Sequence, residues 1–146
     1  MINIFQPKIP KNSLELVKKV FDSNWLGRGQ MVAQFESELS KYLSIPSSKL
    51  TTMSCCSDAI FAIVNVLSQI DSRKTIIIPS ISFPSAGSSV KAANLNLKII
   101  DVDPLTGNIN LDELAKELDD DTLAVFHTHY GGIPVNTSTV REIVGE

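Results

Sequence analysis

The sequence predicts an α/β protein with a mostly parallel sheet. Two observations carry this. From residue 49 onward, short apolar runs rich in β-branched residues alternate with helix-length stretches, giving strand, helix, strand, helix, strand, helix, strand. The residues with chemistry to offer fall directly after those strands, at 54–57, 79–83, 101–103 and 127–132. Sheets of this class bind ligands at the carboxyl ends of their strands.

The chain's 146 residues suit one domain of common size. Its apolar content of 43% and charged content of 20% are those of a globular protein, not a disordered one. A formal charge of −3 gives no reason to expect nucleic acid or an anionic membrane as partner. The longest apolar run without charge, 59–70, is too short to span a bilayer. Residues 1–10 show no apolar core of a signal peptide, so the expected location is cytoplasmic. The two cysteines, Cys55 and Cys56, are adjacent, lack the spacing of a zinc site and fit a reducing compartment.

In chain order, 7–10 reads as an extended arm. Asn12 or Ser13 caps a helix to about Phe21, with Leu14, Val17, Val20 and Phe21 on one face. The segment 23–29 breaks it with Gly27 and Gly29, and Trp25 and Leu26 give that loop something to dock. Residues 30–43 form a second amphipathic helix, aligned on Val32, Phe35 and Leu39, and 46–48 is a turn. A short strand is expected at 49–53. A helix over 60–70, apolar at nearly every position, is expected to be buried. Residues 75–78 and 97–100 read as buried strands, with a helix over 85–94 between them. A turn at 104–108 leads to a helix over 111–118, whose Asp112 and Glu113 suit the positive end of its dipole. Residues 123–126 form a fourth strand, 127–134 a loop, and 137–144 a last helix.

The stretch Ser54-Cys55-Cys56-Ser57-Asp58-Ala59-Ile60 sits where a strand would turn into a helix. Free backbone N–H groups and the dipole at a helix start favour an anion, so one reading is a phosphate seat. Plain capping by Ser57 is the other. Phe83 fits either the core or a ring-stacking platform. His127 and His129 are expected to face opposite ways, to share no metal and to make structural hydrogen bonds. Asp101 and Asp103 read as capping and turn residues before Pro104. A nucleophilic role for the cysteine pair lacks an identified base. Neither GxGxxG nor GxxxxGK[ST] occurs, which leaves dinucleotide and P-loop readings without support.

Five segments in order resemble the DegT/StrS-type sugar aminotransferases, pyridoxal-phosphate enzymes of fold type I. Asn24-Trp25-Leu26-Gly27-Arg28-Gly29 followed by Phe35-Glu36 resembles that family's opening motif. Ser54 to Ile60 lies on its "NSGTDAL" and Pro79-Ser80-Ile81-Ser82-Phe83 on its "PSFTF". Asp101-Val102-Asp103 through Asn110 lies on "DVDPxTxNID", and His129-Tyr130-Gly131-Gly132-Ile133-Pro134-Val135 on "HYGGxPVD".

The resemblance implies an incomplete three-layer α/β/α large domain, mostly parallel and truncated after the fourth strand. Residues 1–30 would be an N-terminal arm, helix and glycine loop, and 31–146 the N-terminal part of the domain that binds pyridoxal phosphate. It implies pyridoxal 5'-phosphate as cofactor, its phosphate on Cys56, Ser57 and Asp58 and its ring under Phe83. No catalytic residue and no metal site are assigned. The implied activity moves an amino group from an amino acid, usually glutamate, to a keto nucleotide-sugar for polysaccharide or glycoconjugate biosynthesis, in a homodimeric enzyme.

Two departures stand out. Cys56 occupies a position where the family has glycine. The chain also lacks the family's pyridinium-binding aspartate and Schiff-base lysine, and Lys91 and Lys98 lie outside the lysine motif. The expectation is a chain inactive alone and of marginal stability, its strand at 49–53 deprived of neighbours. The alternative is a non-catalytic remnant or a module that pairs with full-length subunits.

Overall fold

The computed structural model describes residues 6–145, and the chain separates into two compact units, Met1–Thr52 and Met53–Glu146. The division suggested by the resemblance, after residue 30, separates the glycine loop from the helix that follows it.

In the first unit, α1 spans Ser13–Asp22 and α2 spans Gln30–Leu43, the latter matching its expected limits. Among the described residues α1 buries none, and α2 buries only Ser40, whose hydroxyl donates to the Ile45 carbonyl. The loop between them is shaped by Trp25. Its indole N–H donates to the Arg28 carbonyl at 3.0 Å, and its ring lies so close to Gly29 that a Cβ there would sit 2.6 Å from it. Trp25 and Leu26 nonetheless remain exposed.

The expected strand at 49–53 does not form: 47–49 is a 3₁₀ turn, and 51–53 belongs to no ladder. An extended segment without a neighbour must place its backbone groups elsewhere. Here the Thr52 N–H and hydroxyl both donate to Glu36 Oε1 at 2.8 Å. Arg28 Nη2 donates to both oxygens of the same carboxylate at 2.9 Å, and Arg28 Nη1 reaches Thr51 Oγ1 at 3.1 Å. The Thr52 N–H above all, then its hydroxyl and Arg28, hold the Glu36 carboxyl below its ordinary value of 4.5.

The second unit is a three-layer sandwich. Its elements are α3 (Cys56–Ile70), β1 (Thr75–Pro79), α4 (Pro84–Ala92), β2 (Asn96–Ile100), α5 (Leu111–Glu117), β3 (Thr122–Val125) and α6 (Thr137–Val144). The strands pair in parallel in the order β2-β1-β3. The chain moves from β1 to one side and then back across it. Right-handed crossovers of that kind place successive helices on opposite faces.

Alternation along β1 fills both layers. Ile76 and Ile78 face Val64 of α3 and Ala86 and Val90 of α4. Ile77 faces Leu114 of α5 and Val140 of α6. Side chains from β3 divide likewise, Leu123 and Ala124 to the first cluster and Val125 to the second. Leu123 is an extra residue in the register, between the Thr75–Thr122 and Ile76–Ala124 pairs.

Two burial expectations are corrected. Helix α3 is not buried all round: Val64 is its fully buried residue, whereas Ile63, Val66 and Ile70 are exposed. Only the stripe through Ile60, Val64 and Leu67 meets the sheet and α4. Strand β2 is an edge strand, with Ile99 exposed and Lys98 held by Asp119 and Glu117 at 3.1 and 3.4 Å. Among the described residues no helix is long and apolar enough to cross a membrane.

Candidate anion-binding site

Helix α3 begins at Cys56, four residues before the expected start, because the apolar stripe begins at Ile60 while the first turn is polar. Its N-cap is Cys55, with extended backbone (φ −155°, ψ 168°) and no side-chain cap. The alternative reading, capping by Ser57, is not met. The ladder starts with Ala59 N–H donating to the Cys55 carbonyl at 3.2 Å. The N–H groups of Cys56, Ser57 and Asp58 precede it and have no acceptor among the described residues. Donors left free at a helix start, at the positive end of its dipole, form an anion seat.

The Ser54 hydroxyl donates to Asp58 Oδ2, which ties that carboxylate toward Ser54 across the first turn. Cys56 is not among the residues with positive φ. The backbone here takes a side chain without left-handed strain, so glycine is not required on that ground. Both thiols are exposed, and neither has a hydrogen-bond partner among the described residues. No base accompanies them, as a nucleophilic role would need.

Helix α3 packs against β1 and runs back along it, so its start lies at the carboxyl end of the sheet, the end from which Phe83 emerges after β1. Phe83 caps α4 with extended backbone (φ −71°, ψ 140°), and Pro84 occupies the first helical position. Its side chain is 72% exposed and outside both apolar clusters. The core reading of Phe83 is thereby excluded. The ring is presented to solvent at the strand's carboxyl end.

The acids behave as expected. Asp103 Oδ1 accepts from the Leu105 and Thr106 N–H groups at 2.8 and 2.9 Å, closing the turn, and these bonds lower its pKa. Asp101 Oδ1 accepts from the Val102 N–H at 2.8 Å.

The histidines do so only in part: His129 makes the expected structural hydrogen bond, but the two rings do not face opposite ways. Their rings meet edge to face, with centroids 5.3 Å apart. Residues two apart in extended chain share a face. His129 Nδ1 accepts from the Val135 N–H at 2.9 Å, which places its proton on Nε2. Burial and then His129 push the His127 pKa down, and its Nδ1 is buried with no partner. Among the described residues no cluster of three or more His, Cys, Asp or Glu forms a metal site.

Asn108 was not singled out by the sequence. It is buried, its Nδ2 donates to the Ile133 carbonyl at 3.0 Å, and its Oδ1 accepts from the Tyr130 N–H at 2.9 Å. It thus pins the loop that follows β3. Beside it, Gly107 (φ +70°) lies against the Tyr130 ring, where a Cβ would come within 2.6 Å. The local signal, a glycine before an asparagine, reads only as a turn.

The fold is a doubly wound α/β sandwich, and uncapped helix starts at the carboxyl end of such parallel sheets are general seats for phosphate groups. The chain belongs to the DegT/DnrJ/EryC1/StrS aminotransferase family, which matches residues 7–146.

It is 32% identical over 146 residues to the dTDP-4-dehydro-2,3,6-trideoxy-D-glucose 4-aminotransferase of Saccharopolyspora spinosa, covering 100% of this chain and 38% of that protein. The crystal structure of the aminotransferase TlmJ from Streptoalloteichus hindustanus superposes with a TM-score of 0.89 at 34% identity, over 98% of this chain and 39% of that one. An E. coli GDP-4-keto-6-deoxy-D-mannose-3-dehydratase structure with bound hydrated PLP shares the fold, with a TM-score of 0.83 at 22% identity over 99% of this chain and 39% of that one. The chain thus spans about two fifths of the length of the relatives it matches.

Proposed function

We propose that this chain forms the N-terminal part of a pyridoxal-phosphate-dependent aminotransferase acting on a nucleotide-linked keto-sugar. The observation that carries the reading is the uncapped start of α3, whose three free N–H groups fit a phosphate. The Cys56, Ser57 and Asp58 amides donate to the phosphate, and the Ser57 hydroxyl adds a donor. The Ser54 hydroxyl holds the Asp58 carboxylate aside, which limits like-charge repulsion. Phe83 covers one face of the pyridine ring and orients it.

Bound pyridoxal phosphate supplies the electron sink for amino-group transfer. This chain's residues bind and orient it. Neither of the two lysines considered from the sequence is assigned the catalytic amine. Lys98 is held protonated at the β2 edge by Asp119 and Glu117, which raise its pKa, and Lys91 lies in the last turn of α4. The chain alone is therefore expected to seat the phosphate without turnover. The amino donor is an amino acid, glutamate in this reading. The acceptor class follows the name of the S. spinosa relative; in this reading the intact enzyme is a cytoplasmic homodimer.

The exposed thiols offer a test. In a Cys55→Ser background, pyridoxal phosphate is expected to slow alkylation of Cys56, while pyridoxal, which lacks the phosphate, is expected not to. Equal protection by both compounds, or by neither, refutes a phosphate seat at α3.

A further inference from the structure

The phosphate reading uses the backbone at the start of α3 and leaves the thiols of Cys55 and Cys56 without a role. They are neighbours in sequence, both exposed, and neither belongs to an apolar cluster. Among the described residues no third ligand joins them in a metal site. Their adjacency limits the bond they can form with each other. The peptide between them is trans. A trans peptide holds neighbouring Cα atoms about 3.8 Å apart, whereas a relaxed disulfide spans about 4.4–6.8 Å. A bridge between neighbours is therefore strained and easily reduced, and its loop is too short to staple the chain. Such a bridge suits a reversible switch, not a structural crosslink.

The ring formed by that bridge would contain the Cys55–Cys56 peptide, and that peptide starts α3. Cys55 is extended (φ −155°, ψ 168°), and Cys56 is the first helical residue. The Cys56 N–H is one of the free donors of the helix start, and the Cys55 carbonyl accepts from the Ala59 N–H at 3.2 Å to open the helix ladder. Both groups belong to one planar unit. Turning it to bring the sulfurs together moves the donor and the acceptor at once.

We propose that Cys55 and Cys56 form an oxidation site, closed by hydrogen peroxide into a vicinal disulfide that unmakes the first turn of α3 and with it the anion seat. One thiolate attacks a peroxide oxygen and becomes a sulfenic acid as the O–O bond breaks and hydroxide leaves. The neighbouring thiol attacks that sulfur. The S–S bond forms, the S–O bond breaks, and the thiol's proton leaves with the oxygen as water. The two sulfurs are oxidised by two electrons in all, and the peroxide is reduced to water. The ring and its effect on α3 stand on the backbone alone, whereas the consequence for a phosphate rests on the reading of α3 as a seat. By linkage, phosphate in the seat opposes closure by the factor with which closure opposes phosphate.

The full chain is treated with equimolar hydrogen peroxide and read by intact mass. A loss of two hydrogens is expected, with both thiols closed to alkylation and reopened by a dithiol reductant. Cys55→Ser, which leaves Cys56 alone, is expected to take a sulfenic-acid label that the native chain does not. A persistent sulfenic acid in the native chain, or a bridge between two copies on a non-reducing gel, overturns the proposal. Amide exchange at Ala59 is expected to quicken by about tenfold on oxidation and to recover on reduction. Unchanged exchange in a chain that has lost its two hydrogens overturns the coupling to α3. Pyridoxal phosphate is expected to bind the oxidised chain about tenfold more weakly than the reduced one, and pyridoxal to bind both alike. Equal pyridoxal phosphate binding by the two forms overturns closure of the seat. Binding by the reduced chain that does not depend on the phosphate refutes the seat itself, a failure distinct from that of the switch, which mass and Ala59 exchange decide.

Discussion

The two compact units are stabilised by different means. From Met53 onward the chain has two apolar clusters, and Ile76, Ile77, Val64, Val90 and Leu114 have no or almost no contact with solvent. Up to Thr52 the helices are just as amphipathic, yet Leu14 is 80% exposed, Phe21 61% and Phe35 55%. There the ordering contacts are polar ones converging on Glu36. Amphipathicity marks a face that needs covering. It does not supply the cover, and a strand added to a helix layer does.

That contrast can be broken most strongly in the sandwich. Ile77→Ala removes a buried side chain at the centre of the α5–α6 layer and is expected to cost about 2–5 kcal/mol, read as a loss in the denaturant midpoint. Asn108→Ala removes both partners of the loop after β3 and leaves the Ile133 carbonyl and Tyr130 N–H unmatched. A loss of about 1–3 kcal/mol is expected by the same measurement, with faster exchange at Tyr130.

The first unit should respond to pH and little to cavities. Because the folded state lowers the Glu36 pKa, the contribution of that carboxylate is complete above its ordinary value of 4.5 and is lost as pH falls through the lowered one. Exchange at Thr52 is expected to quicken on acidification in the native chain and to be fast at all pH values in Glu36→Ala. Asp71 of the second unit, half-buried and pulled down to about 2 by Arg73, would keep its pair through most of that range.

The smallest stability effects belong to the candidate site. Phe83→Ala is expected to change stability by no more than about 0.5 kcal/mol while weakening pyridoxal phosphate binding. Cys56→Gly is expected to destabilise α3 by up to about 1 kcal/mol, since no left-handed conformation rewards glycine there, while opening the seat to closer approach by phosphate. A melting curve paired with a binding titration separates the two effects.

Much of this was legible in the sequence because local rules and tertiary needs agreed. The run Ile76-Ile77-Ile78, bounded by Pro79, can satisfy its side chains only between two layers, and α2 and α6 carry periodic faces with clear ends. The polar turn ahead of Ile60 marked where α3 could begin, and its start there carries no side-chain cap. Residues 49–53 misled because a strand's propensity says nothing of its neighbour, and Thr52 found Glu36 instead. The apolar length of α3 suggested burial on every side, but one stripe found partners. Asn108 stayed hidden because its partners lie more than twenty residues away, at Tyr130 and Ile133.

The uncharged edge of β3 also bears on how the chain behaves in solution. An open strand of that kind templates aggregation as readily as correct pairing, whereas Lys98 protects the opposite edge. Solubility then becomes a gauge of whether that edge is covered.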